Sequence, residues 1–374
     1  MQHWRLASFY FMYFALIGAI MPYWALYLTD QGYSPVEIGL LGSILMGTKI
    51  VSPYLSGWLS DKTGRPVKVI RWSASLSLLC FSAIFITDGF LSLALVIASF
   101  SFFWNGQIGQ FEAITLSRLS NRPSLYGGIR AWGSIGFIVT VVLLGMLFNH
   151  LQINLLPVFM MALLLGVLVS SFLVKDTKTA LAPQKGLGFF KQVRQPAVIC
   201  FFFICLMLQL SHGPYYTFYS IFLDDLGYSK GFIGWLWAIS VIAELLLFLS
   251  MFWVQKYFSL KSIICFSLAM SAVRWLLIAF MPDSLMCLVI AQILHAFSFA
   301  SFHGAAVQWV SQLFDRGCQG QGQALYSTMG FGAGGSLGAF LSGYIWAVDP
   351  FMTWIFAFIA SVIALCFSFL LKSH

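Results

Sequence analysis

Residues 31–53, "QGYSPVEIGLLGSILMGTKIVSP", are repeated 195 positions later in residues 226–248, "LGYSKGFIGWLWAISVIAELLLF". Identical residues stand at many aligned positions, and Gly32, Tyr33, Ser34, Ile38 and Gly39 match Gly227, Tyr228, Ser229, Ile233 and Gly234. Upstream, the same offset aligns Gly18 with Gly213, Leu28 with Leu223 and Asp30 with Asp225. This shared register indicates a duplicated chain whose two halves run in the same orientation.

The composition places both halves in a membrane. Of the 374 residues, 60% are hydrophobic and only 9% are charged, whereas a soluble domain carries about 25% charged residues. The mean hydropathy is +0.88. Apolar runs of about 20 residues, long enough to cross a bilayer as helices, recur along the chain. No series of alternating segments suggests a membrane barrel.

We predict an all-α integral membrane protein with twelve spans in two pseudo-symmetric six-helix bundles. The first span is too long for a signal peptide and lacks a small-residue cleavage site, so it is expected to stay in the protein. The spans lie near 8–29, 36–58, 67–87, 90–116, 127–148, 152–174, 196–222, 231–254, 261–281, 284–313, 320–346 and 350–371.

A single long polar connection divides the spans into two sets of six. We therefore predict an N-terminal bundle over 1–176, a cytoplasmic linker over 177–195 and a C-terminal bundle over 196–374. With both termini in the cytoplasm, sixteen of the twenty Lys and Arg residues fall on cytoplasmic segments, as the positive-inside rule requires. The net charge of +8 then reflects the excess of Lys and Arg on the cytoplasmic side of the membrane. These short loops do not indicate a nucleic-acid partner.

Five charged residues remain inside the predicted spans: Lys49, Glu112, Arg130, Glu244 and Arg274. A charge at the bilayer centre costs roughly 2.5–3.5 kcal/mol on insertion scales, so we expect these side chains to face a water-filled interior. The repeat aligns Lys49 with Glu244, which predicts that both line a central cavity. The excess of one positive charge favours an anion, and Arg offers a planar fork suited to a carboxylate. Structural ion pairing alone is the alternative.

Three histidines also lie within spans. His212, His295 and His303 could carry a proton near neutral pH, although a single membrane His is often a packing residue. His212 shares a helical face with Tyr215, Tyr216 and Tyr219. No zinc site is expected, since the histidines lack an i,i+4 pair and a Cys partner. We interpret the seven Cys residues as small apolar side chains.

Aromatic residues make up 17% of the chain and lie mostly in positions expected to face lipid. Six of them could wall a cavity for a ring-bearing ligand: Tyr23, Tyr27, Phe137, Tyr215, Tyr216 and Trp275. The glycine-rich stretch "STMGFGAGGSLGAF", residues 327–340, predicts close helix packing rather than a phosphate loop.

The stretch "GWLSDKTGRPVKV", residues 57–69, resembles the loop 2–3 signature of the major facilitator superfamily. Gly57, Asp61, Gly64 and Arg65 stand at key positions of that signature, and Pro66 replaces its usual second basic residue. The resemblance implies a loop that gates the cytoplasmic side, with the Asp near a helix N-terminus, where an anion is favoured.

Within that superfamily, nearly the whole chain resembles the phenylpropionate-permease branch, which is related to lactose permease. In "FEAITLSRLSNRPSLYGGIRAWGSIGF", residues 111–137, Glu112 and Arg130 keep the family's Glu-to-Arg spacing, which implies substrate contact. Phe137 stands where lactose permease has a Trp that stacks on the sugar ring. The "AELL" at 243–246 places Glu244 on a substrate-contacting glutamate.

The resemblance continues through three later motifs of the second half. They are "LQLSHGPYY" (208–216), "AVRWL" (272–276) and "QILHAFSFASFHGAA" (292–306), and they are similar to the phenylpropionate permeases. Arg274 and His295 match residues of proton coupling. Two departures from lactose permease make a galactoside substrate doubtful: Ser298 replaces its proton-carrying glutamate, and Gln292 replaces its helix-10 lysine.

These observations predict a monomeric symporter of the bacterial inner membrane. It would import a small organic solute, such as 3-phenylpropionate or a similar aromatic carboxylate, together with a proton by alternating access. The expected substrate contacts are Glu112, Arg130, Phe137, Glu244, Lys49, Tyr215 and Tyr216, and the expected proton-coupling residues are His295, Arg274, Glu244 and His212. Proton and lipid are the other partners, and no cofactor or metal is expected.

Several alternatives stay open at this point. They are a sugar or nucleoside symporter of lactose-permease type, a drug exporter, and a nutrient sensor on the same fold. A membrane enzyme is disfavoured, because no nucleophile–base pair, metal motif or paired catalytic carboxylates emerge.

Overall fold

The structure is a computed structural model that describes residues 3–120, 122, 124–176, 188–315 and 317–371. Within these ranges the chain forms helices and no strands. Eleven helical stretches are long and apolar enough to cross a membrane. The all-α integral membrane prediction is therefore confirmed. Most of the predicted linker, residues 177–187, lies outside the described ranges, as do Arg316 and the last three residues.

The first half contributes six membrane helices, here labelled α1 to α6. They are α1 (His3–Asp30), α2 (Pro35–Thr63), α3 (Pro66–Ile86), α4 (Phe90–Arg118), α5 (Leu125–Phe148) and α6 (Ile153–Leu173). Two of them are interrupted where the sequence predicted continuous spans. A 3-10 turn at Thr48–Ile50 breaks α2, and Gly106 separates Phe90–Asn105 from Gln107–Arg118 in α4.

The second half contributes five helices that meet the same criteria. They are α7 (Pro196–Asp225), α8 (Lys230–Tyr257), α9 (Leu260–Phe280), α10 (Leu285–Leu313) and α12 (Pro350–Ser368). The predicted span over 320–346 forms the continuous helical stretch α11, made of Gln319–Ser327, a π-helical segment Thr328–Gly334, and Gly335–Val348. Its many glycines lower its apolar character, and this explains why it is not among the eleven.

The repeat is visible in the helix caps. Gly32 and Gly227 both adopt a left-handed backbone, with φ of +82° and +84°. Two residues later, the Ser34 hydroxyl accepts the Glu37 N–H in a capping box at the start of α2. The Ser229 hydroxyl accepts the Phe232 N–H, 3.2 Å away, at the start of α8. Matching residues thus build matching helix starts in both halves.

The repeat also extends to helix packing. A Cβ added at Gly18 in α1 would collide with the backbone of Phe137 in α5, and one added at Gly213 in α7 would collide with the backbone of Gly338 in α11. The first and fifth helices of each half therefore approach closely, in both cases at the aligned glycine of the first helix. Close approach at small residues is a common way to pack helices in lipid, where water expulsion gives little driving force.

The described residues group into two compact units. Unit 1 contains the residues up to 176 together with Tyr228–Ala238, and unit 2 contains the described residues of 188–227 and 239–371. Within unit 1, the Gly231 N–H donates to Asn149 Oδ1 at 2.9 Å. In unit 2, the core packs Phe201, Leu268 and Trp309. The predicted boundaries at 176 and 196 stay predictions.

Both sides of the polar connection are fixed to their own unit. In unit 1, Arg71 donates to the carbonyls of Ser171 and Val174 at 3.4 and 2.8 Å, and Arg118 donates to that of Lys175. In unit 2, a short linker helix, Phe189–Val193, stacks its Phe189 on Phe314. Two hydrogen bonds join Gln192 to Asp315.

Candidate functional site

Glu112 of α4 and Arg130 of α5 are brought together in unit 1. Arg130 Nε lies 3.4 Å from Glu112 Oε1, with 31% and 37% of the two side chains exposed. The guanidinium carbon lies 4.0 Å from the centre of the Phe14 ring and 5.5 Å from that of Tyr10. Such cation–π contacts orient the guanidinium plane. Among the described residues, one of its five N–H donors has a partner, so the pair can still accept a ligand.

Lys49 lies in the 3-10 turn that interrupts α2. The turn is held by hydrogen bonds: Asn105 Nδ2 donates to Leu45 O at 3.0 Å and to Thr48 Oγ1 at 2.8 Å. Lys49 itself is half-buried and makes no hydrogen bond or ion pair with any residue that the structure describes. Its ammonium group is thus not engaged in a structural ion pair within that part of the chain.

No cation–π contact joins Phe137 to Arg130 in the described part of the chain, and the substrate contact expected of Phe137 stays a prediction. Its backbone packs against Gly18, and only 6% of the residue is exposed. The rings that contact Arg130 are Phe14 and Tyr10 instead, and neither was predicted from the sequence to lie at the site. A signal existed, because the two residues are four positions apart on α1 and therefore share a helix face.

Three charged or titratable side chains form one chain of contacts in unit 2. Arg274 Nη1 lies 2.8 Å from His295 Nδ1, and His295 Nε2 lies 2.8 Å from Glu244 Oε1. Because Arg is always a donor, Nδ1 must accept. The remaining nitrogen, Nε2, then carries the proton and donates to Glu244. His295 is therefore neutral in this arrangement and bridges a guanidinium and a carboxylate.

A buried network surrounds this chain. The Arg274 guanidinium carbon lies 4.0 Å from the Tyr215 ring centre and 4.5 Å from that of Trp275. The Tyr215 hydroxyl donates to Gln292 Oε1 at 2.8 Å, and Gln292 Nε2 donates to the Tyr219 hydroxyl at 2.6 Å. Gln292, whose replacement of the lactose-permease lysine was noted above, therefore places a neutral amide between the Tyr215 and Tyr219 hydroxyls.

Two buried polar atoms beside the network have no hydrogen-bond partner among the described residues, His212 Nε2 and Arg274 Nη2. His212 Nδ1 lies 2.9 Å from the Leu208 carbonyl, so Nδ1 carries the proton and Nε2 is left as an acceptor. The His212 and His295 rings are 5.6 Å apart, and Tyr216 lies 6.0 Å from His212. Unsatisfied buried atoms are costly, which favours occupation by water or ligand.

The predicted gating loop lies at the end of α2. Gly57 packs against the Gln110 side chain of α4, and Gly64 ends the helix in a left-handed conformation with φ of +61°. Asp61 and Arg65 are exposed. Asp61 lies in the last turn of α2, and α3 begins only at Pro66. The dipole of its own helix therefore does not favour this carboxylate. The gating role stays a prediction.

Comparison with known proteins agrees with this architecture. The model of the MFS_1 like family matches residues 3–357. The "Probable 3-phenylpropionic acid transporter" of Escherichia coli (strain K12) is 28% identical over 95% of this chain and 94% of its own length. The "Maltose permease" of Geobacillus stearothermophilus is 23% identical over 90% of this chain and 86% of its own.

A solved structure gives the same fold. The crystal structure of a mutant of the nucleoside transporter NupG superposes with a TM-score of 0.90 at 19% identity, covering 100% of both chains. This likeness concerns the fold alone.

Helical architecture, internal repeat and intramembrane charges together define a secondary transporter of the major facilitator type. The chain belongs to the MFS_1 like family, and it is not an enzyme, since its relatives and structural neighbours are transporters. Its partner is a small-molecule substrate.

Proposed function

We propose that this chain imports a small aromatic carboxylate, such as 3-phenylpropionate, together with a proton across the bacterial inner membrane. It would do so as a monomer by alternating access, with both termini in the cytoplasm. The observation that carries the proposal is the Arg274–His295–Glu244 chain of contacts. The similarity to a probable 3-phenylpropionic acid transporter over 95% of this chain supports the choice of substrate.

Arg130 and Glu112 supply the substrate contact in unit 1. Arg130 can offer a carboxylate two parallel N–H donors, and the cation–π contacts with Phe14 and Tyr10 hold its guanidinium in place. The spans hold three cations and two acidic groups, so one bound carboxylate balances the charge. Lys49 adds positive potential without being committed to a described partner.

The proton-linked step uses competition for one lone pair. Arg274 and an incoming proton both require His295 Nδ1, so protonating His295 there releases the Arg274 contact. Protonating Glu244 instead weakens the charge-assisted hydrogen bond that it accepts from Nε2. In both cases unit 2 gains one buried positive charge. The carboxylate of a bound substrate offsets that charge, so binding of the proton and binding of the substrate favour each other.

The decisive experiment reconstitutes the protein in liposomes with an inward proton gradient and radiolabelled 3-phenylpropionate. We expect accumulation that collapses with a protonophore, and alkalinisation outside when substrate is added. Accumulation that ignores the gradient would contradict the proposal.

Glu244→Gln isolates the proton step, because Gln has the shape of Glu but cannot bind the proton. We expect at least a tenfold loss of gradient-driven accumulation with substrate exchange retained. A carboxylate and one proton cross together without net charge, so the pH difference drives accumulation, and each pH unit is worth about 1.4 kcal/mol, a factor of ten. Glu37→Gln is the matched control, because Glu37 serves a helix cap and Gln can replace Glu in a capping box. Equal accumulation in both variants would remove Glu244 from the coupling step.

A sugar or nucleoside symporter is the second candidate. It is favoured by the sequence similarity to a maltose permease and to the nucleoside permease NupG of Escherichia coli (strain K12), which is 24% identical over 86% of this chain. Competition against labelled uptake by 3-phenylpropionate, uridine and a galactoside separates the candidates. Inhibition by uridine or the galactoside, but not by the acid, would favour this second candidate.

A further inference from the structure

Two π-helical segments carry facing aromatic rings in unit 2. Ala296–Ala300 lies within α10 and Thr328–Gly334 within α11, and the described part of the chain has no other π-helical segment. Phe299 belongs to the first and Phe331 to the second, and their ring centres are 6.0 Å apart at 66°. π-helical turns are rare in proteins, and those that occur are often found at functional sites. The pairing of two such segments therefore suggests a function.

His303 and Tyr326 form a group of four rings with Phe299 and Phe331, and we name this group the ring box. The His303 ring is nearly parallel to Phe299, with centres 6.3 Å apart, and the Phe331 ring stands at 63° to it at 6.0 Å. His303 Nδ1 and the Tyr326 hydroxyl share a hydrogen bond of 2.9 Å. Tyr326 is buried, whereas the other three residues are half-buried and leave aromatic surface accessible.

The ring box is continuous with the proton-linked residues. The Phe299 ring stacks on His295 at 5.3 Å and 16°, and it lies 6.1 Å from the His212 ring. An apolar aromatic surface therefore begins where the Arg274–His295–Glu244 chain of contacts ends.

We infer that the ring box is a subsite for the aromatic ring of the substrate, with Phe299 as its stacking surface. The inference rests on the proposed function and adds a specificity determinant to it. His303 and Tyr326 place hydrogen-bonding groups at the wall of the same subsite. The subsite therefore accepts a phenyl ring and favours one that carries a hydroxyl group.

The test compares two phenylalanines of one π-helical segment. Phe299→Leu removes the stacking surface, while Phe297→Leu is the control, because the Phe297 ring contacts Phe266 instead. Uptake is measured against concentration for 3-phenylpropionate and for 3-cyclohexylpropionate. An aromatic contact of this kind corresponds to roughly a two- to tenfold change in affinity. We expect Phe299→Leu to raise KM for the phenyl acid by that factor and to leave the cyclohexyl acid nearly unchanged.

His303→Phe tests the polar wall separately, since it keeps a ring and removes the hydrogen bond. We expect the ratio of KM values for 3-phenylpropionate and 3-(4-hydroxyphenyl)propionate to shift severalfold toward the phenyl acid. An unchanged ratio would overturn the role of His303.

Photolabelling of the wild-type protein with 3-(4-azidophenyl)propionate gives a readout that does not depend on variant folding. Label on peptides containing Phe299 or Phe331 supports the inference, and label confined to α4 and α5 overturns it. Identical kinetics of Phe299→Leu and Phe297→Leu also overturn it while leaving the proposed function intact. A wild-type protein that takes up none of these acids refutes the proposed function, and the subsite with it.

Discussion

The charged groups of unit 1 and unit 2 are held in opposite ways. The Glu112–Arg130 pair has one 3.4 Å contact and about a third of each side chain exposed. In unit 2, Arg274 is fully buried and His295 is 3% exposed, and each makes shorter contacts. A loosely held, partly exposed pair can exchange partners at small cost, whereas a desolvated network responds strongly to a change of one proton. The difference supports the proposal that unit 1 exchanges substrate and unit 2 responds to the proton.

Adding a charge to the buried network of unit 2 is expected to have the largest effect, because that network is desolvated. Gln292→Lys places an ammonium between the Tyr215 and Tyr219 hydroxyls, with no acidic partner among the contacts of Gln292. An uncompensated buried charge costs about 3–5 kcal/mol. We expect a large fall in Tm, measured by thermal denaturation in detergent.

Gln308→Lys is the matched control, because Gln308 is an exposed residue of the same helix, bonded to Gln255. Equal Tm values for the two variants would show that the unit 2 network is hydrated rather than desolvated.

The loose pair of unit 1 is tested by Arg130→Ala. Hydrogen bonds to charged groups contribute about 1.5–3 kcal/mol, so we expect uptake of 3-phenylpropionate to fall by roughly ten- to a hundredfold. The Tm should change little, since the pair is half-exposed. Arg130→Lys should be intermediate, because Lys keeps the charge and loses the planar fork.

Arg194→Ala, at an exposed position, is the control for removal of an arginine. A drop in Tm for Arg130→Ala as large as the loss of uptake would identify the pair as structural.

Lys49→Gln gives the smallest expected effect. Lys49 has no described ion-pair partner, so it acts on a substrate anion through a screened field worth about 1 kcal/mol or less. We expect KM for the carboxylate to rise roughly two- to fivefold with little change in maximal rate. Lys62→Gln, at an exposed position, should leave KM unchanged. An effect of Lys49→Gln as large as that of Arg130→Ala would make Lys49 a direct ligand.

The sequence was sufficient for the outline of the molecule. Hydropathy predicted the helices, and the offset of 195 aligned the residues that form the paired caps, Ser34 and Ser229, and the close contacts at Gly18 and Gly213. These features follow from local sequence patterns that occur in both halves. The family resemblance implied that Glu112 and Arg130 both contact substrate, and the structure brings the two together.

What the sequence could not supply depends on tertiary geometry. The resemblance grouped Arg274 with His295, but their 2.8 Å contact requires the relative rotation of α9 and α10, which helical spacing alone does not give. The π-helical segments around Phe299 and Phe331 have no reliable sequence signature. The substrate contact expected of Phe137 stays a prediction, since the packing of its backbone against Gly18 does not test it.

The bonds beside the polar connection have a practical consequence. Arg71 and Arg118 tie down the carbonyls that follow α6, and Gln192 and Phe189 fasten the linker helix to α10 and the residues after it. These bonds all lie within one fragment or the other when the chain is divided between 177 and 187. We therefore expect both fragments to keep them when the protein is produced as two polypeptides, which would allow each fragment to be labelled separately for spectroscopy.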